Sequence, residues 1–380
     1  MRILMLNNEY PPLGGGQGSE NYFFCKELKN HKDIEVNLIT ASQNKKKFEK
    51  SGNLKVYYLD IGKNGKNLHF QSAKELLNYS LKALKLSLSL NKKRKYDLVV
   101  AWSGLPSGFL AYLIKKKQKT PYIVLLRGAD VPFWEDRWKH LDRFVFSWLS
   151  PLIWKHSCIT YANSEGLKIQ AERFSKNKEI KVIPGGVDTS FFKPSKNKSK
   201  NKEVVILGVG RLIKRKGFNY LIEALSNIKE ERFQLWLAGD GPEKTSLISL
   251  AEKKGILSKV KFLGIKDKNE MLKIYQKADI FCLPSLNEGM SNAILEAMAC
   301  SLPIITTNTP GAKELINNNG NGHIAKQRNV KDIADKLKSL IINKELREKM
   351  GKKSIKIVEK FSFKTLQRSY LKDWLEIKVR

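Results

Sequence analysis

Two carboxylates, Glu288 and Glu296, bracket the stretch Gly289-Met290-Ser291-Asn292, and together these residues could hold a phosphorylated sugar. Asp279 to Leu283 is a short apolar run ended by Pro284, the pattern of a strand covered on both faces. Asn287-Glu288-Gly289 then breaks the chain, and Ser291 or Asn292 is placed to cap the helix that follows. The backbone N–H groups of Gly289, Met290, Ser291 and Asn292 would face outward at that helix N-terminus, a ready-made anion site. An acid is a poor phosphate ligand but a good acceptor for sugar hydroxyls. The residues therefore suggest amides for a diphosphate and one Glu for each flanking sugar. The plainer reading is a helix cap beside a surface Glu.

Within EGMSNAILEAMA, this Glu-x7-Glu pair resembles the signature of retaining glycosyltransferases of family 4. The resemblance implies an α/β chain of the GT-B fold: two Rossmann-like, doubly wound parallel-sheet domains facing a central cleft. It implies a nucleoside-diphosphate sugar, UDP- or GDP-linked, as donor. Glu288 would contact the transferred sugar and Glu296 the nucleotide ribose.

The elements that must position these residues are legible along the chain. At 380 residues with 42% hydrophobic content, the protein suits two globular domains. Strands are expected at Arg2–Leu6, Val36–Thr40, Leu54–Leu59, Asp97–Trp102, Tyr122–Leu126, Cys158–Tyr161 and Lys181–Ile183, with helices between most of them. A second series runs Val204–Gly208, Phe233–Leu237, Val260–Leu263, Asp279–Leu283 and Pro303–Thr307. Such alternation implies parallel sheets with ligands at the carboxyl ends of their strands. The domains are read as 1–188, joined by a crossing helix at 361–380, and 189–360; the polar, basic stretch 195–202 is a solvated linker.

Other motifs fall at those carboxyl ends. Three glycines follow the first strand, and the family resemblance turns Gly15 and Gly16 toward the donor's diphosphate and sugar. Strand Tyr122–Leu126 ends in Arg127-Gly-Ala-Asp130, where many family 4 members carry His in place of Arg. Arg127 cannot titrate as a base, so it is read as a positioning or acceptor-binding group and Asp130 as a hydroxyl acceptor. An Arg–Asp pair bracing the loop is the alternative. Gly210-Arg211-Leu with Lys216-Gly217 resembles the family's diphosphate clamp, in which fixed cations stabilise a departing nucleoside diphosphate. Gly264 and Ile265 stand where family members hold the base through backbone groups.

No Asp-x-Asp motif and no His/Cys ligand cluster is present, so neither a metal nor a cofactor is implied. The cysteines Cys25, Cys158, Cys282 and Cys300 lack metal spacing and are read as buried thiols in a reducing cytosol. Met1-Arg-Ile-Leu-Met-Leu turns polar at once, as a strand does and a signal peptide does not. The net charge of +33 is spread along both halves and attracts polyanions. An anionic membrane surface and a mere compositional habit explain it equally; no nucleic acid is expected, since every nucleic-acid motif is missing. Phe133 to Trp154 is rich in aromatics (Phe133, Trp134, Trp138, Phe144, Phe146, Trp148, Trp154) flanked by Arg137, Lys139, Arg143 and Lys155. That mixture suits core packing of an amphipathic helix, the favoured reading, or a membrane interface offering a lipid-linked acceptor.

The expected activity is transfer of a hexose from the donor to a saccharide or lipid-linked saccharide, in the cytoplasm or at the inner membrane face. A nucleotide-sugar epimerase or phosphorylase on the same fold, and a basic nucleic-acid-binding protein, are the alternatives.

Overall fold

The computed structural model describes residues 1–29, 31–43, 48–63, 71–128, 130–134, 142–175, 179–196 and 202–379. Arg137, Trp138 and Lys139 lie outside the described residues, as does most of the expected linker. By contact the chain divides into a first unit, Met1–Gly185 with Phe363–Arg380, and a second, Gly186–Ser362.

The first unit runs β1 (Arg2–Leu6), α1 (Gly16–Leu28), β2 (Glu35–Ser42), β3 (Phe48–Ser51), β4 (Leu54–Asp60), α2 (Ala73–Lys93) and β5 (Leu98–Ala101). It continues with α3 (Phe109–Gln118), β6 (Tyr122–Leu126), a wide helical turn at Asp142–Phe146, α4 (Ser147–His156), β7 (Thr160–Ala162), α5 (Glu165–Glu172) and β8 (Ile180–Val182). The strands pair in the order β3-β4-β2-β1-β5-β6-β7-β8, all parallel except β3. Strands β5 and β6 are buried at every position, as their unbroken apolar runs require. The exposed edge strand β3, Phe-Glu-Lys-Ser, has no apolar alternation to announce it. The C-terminal helix, Phe363–Val379, sets Tyr370 and Trp374 into the aromatic core around Phe24 and Trp102.

The second unit runs β9 (Val204–Val209), α6 (Phe218–Ser226), β10 (Phe233–Ala238), α7 (Lys244–Lys253), β11 (Val260–Gly264), α8 (Lys268–Lys277) and β12 (Ile280–Leu283). It ends with α9 (Asn292–Ala299), β13 (Ile304–Thr307), α10 (Ala312–Leu315), β14 (Gly322–Ala325), α11 (Val330–Ile342) and α12 (Lys344–Val358). Its sheet, β11-β10-β9-β12-β13-β14, is parallel throughout. The strand order reverses between β1 and β5 in the first unit and between β9 and β12 in the second. At such a switch point neighbouring loops leave in opposite directions and open a crevice for ligands.

One expectation about the thiols is corrected. Cys25, Cys282 and Cys300 are buried, but Cys158 is exposed, because β7 begins only at Thr160 and Cys158 lies on the chain that leads into it.

Candidate active site

In the second unit the residues gather at the β9/β12 switch. The loop after β9 tightens into a short helical turn, Lys214–Lys216, and closes at Gly217 with φ of 68°. A β-carbon on Gly217 would lie 2.1 Å from the Pro284 carbonyl oxygen, so only glycine lets the two loops meet. That approach sets Lys216 Nζ 2.5 Å from Glu288 Oε2, with both side chains mostly buried. Ser285 Oγ donates to the same oxygen at 3.3 Å. Arg215, which motif reading missed inside a basic run, donates from Nη1 to the Asn287 carbonyl at 3.2 Å. Burial works against ionisation of Glu288, but Lys216 and Arg215 beside it hold the carboxyl below the ordinary range. Arg211, also expected at the diphosphate, is exposed on the same loop.

After Glu288 the chain passes Gly311 so closely that a β-carbon there would lie 1.7 Å from the Gly289 carbonyl oxygen. Helix α9 then begins at Asn292 with Ser291 as its N-cap, but the Ser291 side chain makes no capping bond, against expectation. Its backbone stands in extended geometry, so position rather than the hydroxyl makes it the cap. Among the described residues, the N–H groups of Gly289, Met290 and Ser291 donate to no protein acceptor. The Met290 side chain is in the core, which leaves its amide as the part available for binding. On α9, Glu296 Oε2 accepts from Tyr275 Oη at 2.8 Å. Burial raises the Glu296 carboxyl to about 7, against the pull of that bond and of Lys268. Tyr275 carries no sequence signal, since a tyrosine on the inner face of α8 reads as core. Gly264 turns at φ of 70°, and its carbonyl accepts from Gly239 N at 2.8 Å. Ile265 beside it is exposed. A cavity of about 950 Å³ in this unit, bordered by Val204, Arg232, Asp279 and Pro303, opens at the opposite, amino edge of the sheet and contains none of these residues.

In the first unit the glycine loop is itself the start of α1, which begins at Gly16. Gly15 is the N-cap, and Gly16 is exposed. Gly15 N donates to Glu9 Oε2 at 3.0 Å, so a carboxylate of this chain sits on an amide expected to face the donor. Arg127 and Asp130 take partners that their spacing in the sequence does not suggest. The Asp130 carboxylate accepts from the backbone N–H of Gly104 (2.6 Å), Arg127 (2.9 Å) and Gly128 (2.8 Å). These bonds brace the loop, and the partner of Asp130 is the Arg127 backbone rather than the guanidinium. Arg127 turns inward, 5% exposed, and pairs from Nη1 with Glu20 Oε1 at 2.7 Å. Its guanidinium lies over the Trp102 ring, 4.7 Å from the centroid. Its Nε and Nη2 groups have no partner among the described residues. Glu20, one turn into α1, gave no sequence signal.

Two doubly wound parallel-sheet units, each with a switch-point crevice, are the architecture of the GT-B class. Solved structures share the fold. Sucrose-phosphate synthase of Thermosynechococcus elongatus matches with a TM-score of 0.87 at 18% identity over 99% of each chain. Anabaena HepE, solved with UDP and glucose, matches with 0.73 at 19% identity, over 98% of this chain and 99% of that one. The model for glycosyl transferases group 1 matches residues 190–357, and that for Glycosyltransferase Family 4 matches 14–191. An uncharacterised glycosyltransferase of Methanocaldococcus jannaschii is 28% identical over 372 residues, 96% of this chain and 95% of that protein. The chain belongs to the group 1, family 4 glycosyltransferases and is a transferase. Relatives matched over 55% and 56% of this chain are named for capsular polysaccharide and lipopolysaccharide core biosynthesis.

Proposed function

We propose that this enzyme moves a hexose from a UDP- or GDP-linked sugar to a surface-glycan or lipid-linked saccharide, with retention of anomeric configuration and without a metal ion. The observation that carries the reading is the Lys216–Glu288 pair beside the amides of Gly289, Met290 and Ser291, which donate to no acceptor among the described residues. It puts a cation, a hydroxyl acceptor and anion-binding N–H groups at one switch point. Arg211, Lys216 and the amides hold the diphosphate and stabilise the charge it gains on leaving. Glu288 accepts from hydroxyls of the transferred sugar and Glu296 from the ribose, while the backbone at Gly264 and Ile265 receives the base. In the transfer step the acceptor oxygen bonds to the anomeric carbon as the bond to phosphate breaks on the same face. The acceptor proton passes to the departing phosphate oxygen, so no protein base is required.

The basic charge and the polysaccharide-type relatives support work at the cytoplasmic face of a membrane, where glycan acceptors are presented. Among the described residues, no helix is long and apolar enough to cross one. Calorimetric titration with UDP and GDP tests the donor side. One of the two binds, and Arg211→Ala weakens it about tenfold; wild-type protein that binds neither would refute the reading.

A further inference from the structure

The aromatic segment splits into two faces. On α4, Ser150, Ile153 and Trp154 are fully buried, so part of the aromatic spacing is core packing as the sequence suggests. The rest is not. Phe144, Trp148 and Leu152, each four residues after the last, are exposed, with Trp148 at 80% and Phe144 at 73%, and Val145 lies beside them. Residues at that spacing share one side of a helix. A continuous exposed row of large apolar side chains is rare on a monomer and marks a contact surface.

Past Asp142, which opens the helical turn where the row begins, the charges along the row and after it are basic. From Arg143 to Ser164, and from Phe109 to Thr120 on α3, the sequence holds no Asp or Glu. Arg143 precedes the row, and Lys155 follows it, both exposed. Lys115 Nζ donates to the His156 carbonyl at 2.7 Å, which ties the basic end of α3 to the end of α4. Lys116 and Lys117 are thereby carried to the same border, and both are exposed.

We propose that this outer face of α4 docks on an anionic lipid bilayer, its apolar row entering the headgroup boundary while the lysines meet lipid phosphates. A helix with aromatic and aliphatic residues on one side and cations at its border has that physical character. A second copy of the chain fits less well, because a symmetric contact through this face would set the same lysines against themselves. The inference rests on the membrane-side working place proposed above and names the surface involved. Its test needs no turnover, so it fails or stands apart from the donor site.

Flotation of the full chain with vesicles of phosphatidylglycerol and phosphatidylcholine in equal parts, beside pure phosphatidylcholine, reads the effect. The wild type floats with the anionic vesicles. Phe144→Ser/Trp148→Ser weakens that binding roughly a hundredfold, and Lys116→Glu/Lys155→Glu abolishes the preference for anionic lipid. Circular dichroism and nucleotide release from a soluble donor stay unchanged in both variants, since none of these residues is in the site. Three results overturn the proposal: wild-type protein that ignores anionic vesicles, an apolar variant that binds like wild type, or self-association in sedimentation that Trp148→Ser removes. Stronger retention on an oligonucleotide than on vesicles, lost in the lysine variant alone, would also overturn it and point to nucleic acid.

Discussion

Lys216 Nζ and Glu288 Oε2 stand 2.5 Å apart across the switch point of the second unit, although 72 residues separate them in the chain. The sequence suggested a phosphate ligand and a sugar ligand; the structure makes them partners as well. Lys216 and Arg215 hold the Glu288 carboxyl ionised without any ligand, so the hydroxyl acceptor is charged in advance of binding. Breaking a mostly buried pair leaves its remaining member uncompensated.

Lys216→Ala is therefore expected to lower kcat by about a hundredfold or more, the effect of removing one group aimed at developing charge. Lys216→Arg recovers part of it. The depressed Glu288 carboxyl contributes stability that is present above the ordinary carboxylate range and lost as pH falls through its folded value. Without Lys216 the folded value rises, so Lys216→Ala is less stable than wild type at neutral pH but loses less stability as the buffer is made acidic, and the two proteins converge in thermal unfolding at low pH.

Glu296 moves the other way. Its carboxyl is raised from 4.5 to about 7, so between those values the folded protein holds a proton that the unfolded chain has released. Stability thus declines as pH rises through that window, by up to about 3 kcal/mol. Glu296→Gln flattens the decline in denaturation measured across it. If the ionised form accepts from the ribose, the donor KM of the wild type falls as pH rises through about 7, and that of Glu296→Gln does not.

Much of the second unit was legible because its chemistry lies in contiguous motifs. Glu288, the amides and Glu296 follow one another through a loop and a helix start, and Lys216 sits in a short turn after β9. The partners were not legible. Arg215 reaches the Glu288 loop from the turn after β9 and Tyr275 reaches Glu296 from α8, while Ser285 lies three residues before Glu288, and nothing in their own neighbourhoods marks them. In the first unit, Arg127-Gly-Ala-Asp130 reads as a pair because the residues are close in sequence. Asp130 instead takes three backbone N–H groups, and Arg127 finds Glu20 107 residues away. Long-range burial chose the partners, and local spacing misled.

The Arg127–Glu20 pair is expected to behave as buried ion pairs do. Arg127→Met or Glu20→Met alone destabilises by about 3–5 kcal/mol, whereas Glu20→Met/Arg127→Met together cost far less than the sum. Urea unfolding of the four proteins gives the coupling directly. Additive losses would mean that the two side chains do not depend on each other.

Asp130→Ala strips an acceptor from the Gly104, Arg127 and Gly128 amides, and about 2–4 kcal/mol of stability goes with it. Acceptor KM at low temperature, where the variant stays folded, remains close to wild type. A large rise in that KM with thermal stability unchanged would restore Asp130 as a ligand for acceptor hydroxyls.

The most direct test of the account is slow nucleotide release from a panel of nucleoside-diphosphate sugars, measured for wild type, Glu288→Ala and Glu296→Ala. The account predicts release from one donor in the wild type, a loss of about a hundredfold in Glu288→Ala, and weaker donor binding in Glu296→Ala. Release that is equal in all three proteins, or a wild type that neither binds nor turns over any donor, would contradict it.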